Sequence, residues 1–182
     1  DLAQHAAVAA WGHHRLDVAL DETQVSRLER PHVDHHVDFA GAVEDGAPRL
    51  VALMALVYAG LCIAEQQAVV DRYLKPFCKE LDRQIMADGG HISRNPAALV
   101  DLLLDLLPLR QCFMARDRVP PKQLSDAIDR AMPMVRFFRL GDGTMVRFNG
   151  GGATATDSLA TVLAYDDTGG APLRAAPNSG YA

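Results

Sequence analysis

A helix that is apolar nearly all round cannot stand alone in water and must be wrapped by others. Residues 48–62 spell such a helix: Leu50, Leu53, Met54, Val57, Leu61 and Cys62 recur at helical spacing behind Pro48, which suits a first turn. Three further runs can supply the cover. Val69, Val70, Tyr73, Leu74, Phe77, Leu81 and Ile85 predict a second helix of about five turns, with Pro76 a candidate kink. From Ala98 to Phe113 the chain is dense in leucine, with Leu99, Leu102, Leu103, Leu104, Leu106, Leu107 and Leu109. After Pro120-Pro121, the residues Leu124, Ile128, Met132, Val135 and Phe138 give another amphipathic helix. The expected fold is therefore all-α, with two successive antiparallel helix pairs.

The flanks are less regular. Ala6 to Trp11, then Leu16, Val18 and Leu20, form a loose helical segment, and Val25, Leu28, Val33, Val37 and Phe39 predict another. After Phe138 the pattern changes to a turn at Arg139-Leu140-Gly141-Asp142-Gly143. Thr144 to Phe148 follows with strand-like composition, so a short β-hairpin-like segment is expected near 139–149. Thr156 or Asp157 can cap a short helix through Leu159, Val162, Leu163 and Tyr165. Residues 1–165 read as one helical domain. Residues 166–182, rich in Gly, Pro, Ala and Asn, read as a linker into something further, and the chain as a piece of a longer protein.

Bulk properties narrow the partners. A net charge of -5 argues against a nucleic-acid surface, which needs a basic face. No uncharged apolar run is long enough for a membrane span. Cys62, Cys78 and Cys112 sit in apolar helical patterns without metal-like spacing, and so read as buried thiols. They favour a reducing, cytoplasmic setting over a periplasmic one, with a Cys62–Cys78 disulfide a minor alternative.

Several polar groups invite chemistry. His32 and His36 stand four apart and would share a helix face, as zinc-binding helices arrange their ligands, with His35, Asp34 and Asp38 beside them. No Glu stands where a zinc protease needs its base, so a solvated polar face is expected and no metal or cofactor is called for. Asp101 and Asp105, also four apart, read as an exposed stripe rather than an acid/base pair. Gly150-Gly151-Gly152 lacks the Lys-Ser or Lys-Thr of a phosphate loop, although Asn149 beside it could face a cavity.

The segment with most chemical content is Asp88-Gly89-Gly90-His91-Ile92-Ser93-Arg94-Asn95-Pro96, between the second and third helices. Asp88-Gly89-Gly90 is a turn signal, Asn95 a good N-cap and Pro96 a good first-turn residue. Amide groups and dipole make that helix end welcoming to an anion, with His91 and Arg94 next to it. An ordinary capped loop accounts for the same residues.

The run from Leu81-Asp82-Arg83-Gln84-Ile85 through Asp88–Pro96, with the Leu-rich helix after it and Leu109-Arg110, resembles the heparinase II/III family of polysaccharide lyases. So does Phe137-Phe138-Arg139-Leu140-Gly141-Asp142-Gly143 with Phe148-Asn149-Gly150. The resemblance implies an incomplete (α/α) toroid leading through Asn178-Ser179-Gly180-Tyr181 to a C-terminal β-sandwich domain. It implies β-elimination on an acidic polysaccharide or oligosaccharide beside a uronic acid. In that chemistry His91, Arg94 and Asn95 would be catalytic, with Arg94 or Asn95 on the carboxylate and His91 as base or positioning group. Asp142, Asn149 and Arg139 would bind substrate. The family's catalytic Tyr has no match at 141–145, where Tyr165 and Tyr58 are the remaining choices. The alternatives are a non-catalytic carbohydrate-binding domain of the same fold and a helical scaffold that binds protein.

Overall fold

A computed structural model describes residues 46–63, 67–165 and 171–181. The His32–His36 group and the helical patterns of the first 45 residues lie outside the described residues. Five helices follow in order: α1 (Ala47–Cys62), α2 (Gln67–Gln84), α3 (Pro96–Ala115), α4 (Lys122–Phe138) and α5 (Thr156–Ala164).

α1 begins with Pro48 in its first turn and buries Leu50, Leu53, Met54, Val57 and Leu61. Ile63 ends it by turning to an extended conformation. Only residues 63–66 join α1 to α2, so the two must run antiparallel, and they pack along each other. α2 presents Val70, Tyr73, Phe77, Cys78 and Leu81 to this contact and continues unbroken through Pro76.

α3 is the central element, touching α1, α4 and α5. Its leucines explain the placement, because Leu99, Leu103, Leu106, Leu107 and Leu109 are at most 1% exposed and point in several directions around the axis. Each such side chain contributes about 1.5–3 kcal/mol of burial. α4 returns antiparallel to α3 after residues 116–121 and also packs on α2, through Leu124, Ile128, Met134, Val135 and their neighbours. Asp101 and Asp105 are half-buried rather than an exposed stripe, and the Tyr58 hydroxyl donates to the Asp105 carbonyl at 2.9 Å.

Antiparallel pairing is thus present, while α5 adds only a short cover on α3. These elements do not amount to a toroid. Nor is there a β-hairpin at 139–149. Arg139 and Met145 form one isolated antiparallel bridge, and no strand extends from it. The reason is local: Phe138 is already the last helical residue of α4, so there is no extended partner for Thr144–Phe148 to continue the ladder. Among the described residues no helix is long and apolar enough to cross a membrane.

Residues 171–181 fold back onto the helices. Ala176 and Ser179 are buried, and Ala176 pairs with Tyr181 through two backbone bonds of 2.7 and 2.9 Å. The return places this segment against the loop between α2 and α3.

Candidate functional site

The α2–α3 loop is built on a firm base. Near the end of α2, buried Glu80 accepts from Gln84 Nε2 at 2.8 Å and from Arg83 at 3.2 Å. The Gln84 carbonyl then accepts from Ile92 N–H at 2.8 Å, while Met86 N–H donates to the Gly90 carbonyl, closing an antiparallel turn with an Ile85–His91 bridge. At its tip the turn needs glycine twice. Gly89 has φ +87°, and a Cβ there would lie 1.9 Å from the Arg130 carbonyl oxygen of α4. A Cβ on Gly90 would meet Ser179 Oγ at 2.0 Å. The loop is therefore pressed between a helix backbone and the returning tail.

Asp88 joins the two. Its Oδ1 accepts from the Gly90 amide at 3.2 Å and the Ser179 hydroxyl at 2.7 Å, and its Oδ2 from the Ser179 amide at 2.6 Å. Desolvation alone would raise the carboxyl, but these donors outweigh it and hold the group below the usual carboxylate range.

His91 is buried, and desolvation lowers its pKa. Its Nδ1 accepts the Ser93 amide at 3.2 Å and lies 2.7 Å from Ser93 Oγ. Ser93 Oγ in turn accepts from the Asn95 amide. With Nδ1 as acceptor, this network assigns the neutral ring its proton on Nε2. Asn95 caps α3, its Oδ1 accepting from Ala97 at 2.9 Å and Ala98 at 3.5 Å. Gly151 approaches the same oxygen so closely that a Cβ would sit 2.6 Å from it.

Arg94 holds an uncommon backbone conformation, φ +55°. Its carbonyl accepts from Asn149 Nδ2 and from the Tyr181 hydroxyl, each at 2.9 Å. Asn149 also has a positive φ, of 51°. The exposed Arg94 guanidinium lies against the tail, since a Cβ at Gly180 would be 3.5 Å from Arg94 Cζ. Tyr181 completes an aromatic group with Phe137, Phe138 and Phe148, at centroid separations of 5.3–6.2 Å. Burial raises its phenol above the ordinary value, while Asn149 and the Arg94 charge pull in the opposite direction.

The structure thus brings Arg94, Asn95 and Asn149 together through main-chain and capping contacts, with His91 beneath them. Arg139 and Asp142 belong to a separate turn. Asp142 is engaged locally through Oδ1, which accepts from the Thr144 amide and hydroxyl at 2.9 and 2.8 Å and so lowers its pKa. Arg139 lines an open depression of about 370 Å³ with Arg136, Leu140, Gly141, Gly143 and Pro172. Of the two tyrosines named from the sequence, Tyr58 is turned into the α1–α3 contact and Tyr165 ends α5. Ser179 and Tyr181 carry contacts that the motifs did not reveal; their only sequence signal is the Asn178-Ser179-Gly180-Tyr181 turn. Among the described residues no three His, Cys, Asp or Glu side chains cluster as a metal site.

The chain is similar to FtsZ-localized protein C of Caulobacter vibrioides. The two are 41% identical over 149 residues, which is 81% of this chain and 25% of that protein. The chain thus spans about a quarter of the length of the curated relative it matches. No protein-family profile matches the chain, and no solved structure does. This likeness overturns the heparinase II/III assignment together with the polysaccharide lyase and carbohydrate-binding readings drawn from it. The loop that carried the resemblance is a capped, glycine-dependent turn in which Asp88, His91 Nδ1, Ser93 and Asn95 are engaged within the fold, so much of its residue pattern follows from packing and capping.

Proposed function

We propose that this chain is a helical part of a protein that localizes with FtsZ in dividing cells, and that its partner lies among FtsZ-associated proteins rather than polysaccharides. The observation that carries the reading is the 41% identity to FtsZ-localized protein C across most of the chain. The match is too long to fall outside the helical core, so α1–α4 are part of what the two proteins share. In this reading, His91, Arg94, Asn95 and Asn149 serve as a joint. They lock the α2–α3 loop, the 148–151 turn and residues 171–181 into one surface.

Imaging tests this. The full-length protein fused to a fluorescent reporter, in its own host, is expected in a band at the division plane coincident with labelled FtsZ. A uniform distribution in cells with assembled FtsZ bands contradicts the proposal.

A further inference from the structure

Three thiols are present, and two of them meet. Cys62 closes α1, and Cys112 lies in the last turns of α3, with their sulfurs 3.8 Å apart across a separation of 50 residues. Both side chains are half-buried, so a small oxidant or a thiol reagent can reach them. Arg116, just past the end of α3, donates to the Cys62 carbonyl at 3.0 Å and holds the two helix ends in register. Cys78 is buried in the core face of α2. The sequence had suggested Cys62–Cys78 as the possible pair; the fold brings Cys112 to Cys62 instead.

We propose that Cys62 and Cys112 form a reversible disulfide that staples the end of α1 to the end of α3. A disulfide needs its sulfurs about 2.05 Å apart, which side-chain rotation can supply from a starting separation of 3.8 Å. With hydrogen peroxide as oxidant, the thiolate of one cysteine attacks a peroxide oxygen. The O–O bond breaks, hydroxide leaves, and a sulfenic acid remains. The second thiol then attacks that sulfur, forming the S–S bond and releasing water. Two thiols and one peroxide give one disulfide and two waters, the sulfurs losing two electrons and the peroxide gaining them. An external dithiol reverses the process by exchange. The Cys112 thiol is pushed up to about 11 by burial and by Cys62 beside it. Attack by Cys112 is therefore slow at neutral pH and quickens roughly tenfold per unit as pH rises toward that value.

The closed loop contains all of α2 and the α2–α3 turn, so the bond restricts the unfolded chain and raises the melting temperature by several degrees. The test treats reduced full-length protein with hydrogen peroxide, blocks free thiols and maps peptides by mass spectrometry. The expected result is a Cys62–Cys112 cross-linked peptide within one chain, a raised melting temperature, and reversal of both by dithiothreitol. Cys78→Ser keeps the cross-link, and Cys62→Ser or Cys112→Ala abolishes it. Separate oxidation of the two cysteines without a cross-link, a bond to Cys78, or a bond only between chains overturns the proposal.

Discussion

Replacing Gly89 by Ala tests how tightly the α2–α3 loop is held. Gly89 has φ +87°, where an L side chain costs about 1–2 kcal/mol. Loss of freedom in the unfolded chain offsets this by about 0.4–1 kcal/mol, leaving a net cost on the order of 1 kcal/mol. The larger effect is steric. The new methyl would lie 1.9 Å from the Arg130 oxygen and 2.4 Å from its carbonyl carbon, both in the α4 backbone, which cannot swing aside like a side chain. Ordinary contact begins at 3.4 Å, so the loop must back away by about 1.5 Å, loosening the Asp88–Ser179 contacts. Such overpacking adds about 2–3 kcal/mol, for a total of about 3–4 kcal/mol. Gly150 is the matched control: it has φ +80° but nothing within 4 Å of a Cβ, so Gly150→Ala should cost only about 1 kcal/mol. Urea denaturation of both variants and the parent, at equal m, measures the difference. Equal losses in the two variants would refute the claim that the loop is wedged against α4.

Three further perturbations probe the same joint. Ser179→Ala removes the 2.7 Å hydroxyl contact to Asp88 and should cost about 1–2 kcal/mol in denaturant titration, while the Asp88 carboxyl, followed by NMR, moves up. Tyr181→Phe keeps the ring among its aromatic neighbours but loses the bond to the Arg94 carbonyl. Its cost, about 1 kcal/mol, should be non-additive with Asn149→Ala, because both donors share one acceptor. His91 has a folded pKa below its unfolded value, so its contribution is fully present above about 6.5 and lost as pH falls through the lower folded value. Melting temperature should therefore drop on acidification from pH 7 to 5, and His91→Gln should flatten that slope; an unchanged slope in the variant would assign the pH dependence elsewhere.

The helices were legible because apolar residues at 3.6-residue spacing leave few alternatives, but the sequence casts Leu99 to Leu109 as cover for α1 whereas the fold puts them at the centre. The hairpin was misread because Thr144–Phe148 has strand composition but no partner strand, α4 already occupying the residues it would need. The tail was opaque for a different reason. Ser179 reaches Asp88 over 91 residues and Tyr181 reaches Arg94 over 87, and no periodic pattern encodes contacts of that range. The lyase resemblance shows how a short polar loop misleads. Asp88, Gly89, Gly90, His91, Asn95 and Pro96 each have a turn, packing, hydrogen-bonding or capping task in this fold, and a loop with those tasks carries little information about reaction type.

Depletion of FtsZ from cells expressing the fluorescent full-length protein tests the functional reading most directly. The division-plane band of the fusion should disperse as FtsZ is lost and return when FtsZ is restored. A band that persists without FtsZ, or one that never forms beside intact FtsZ, would contradict it.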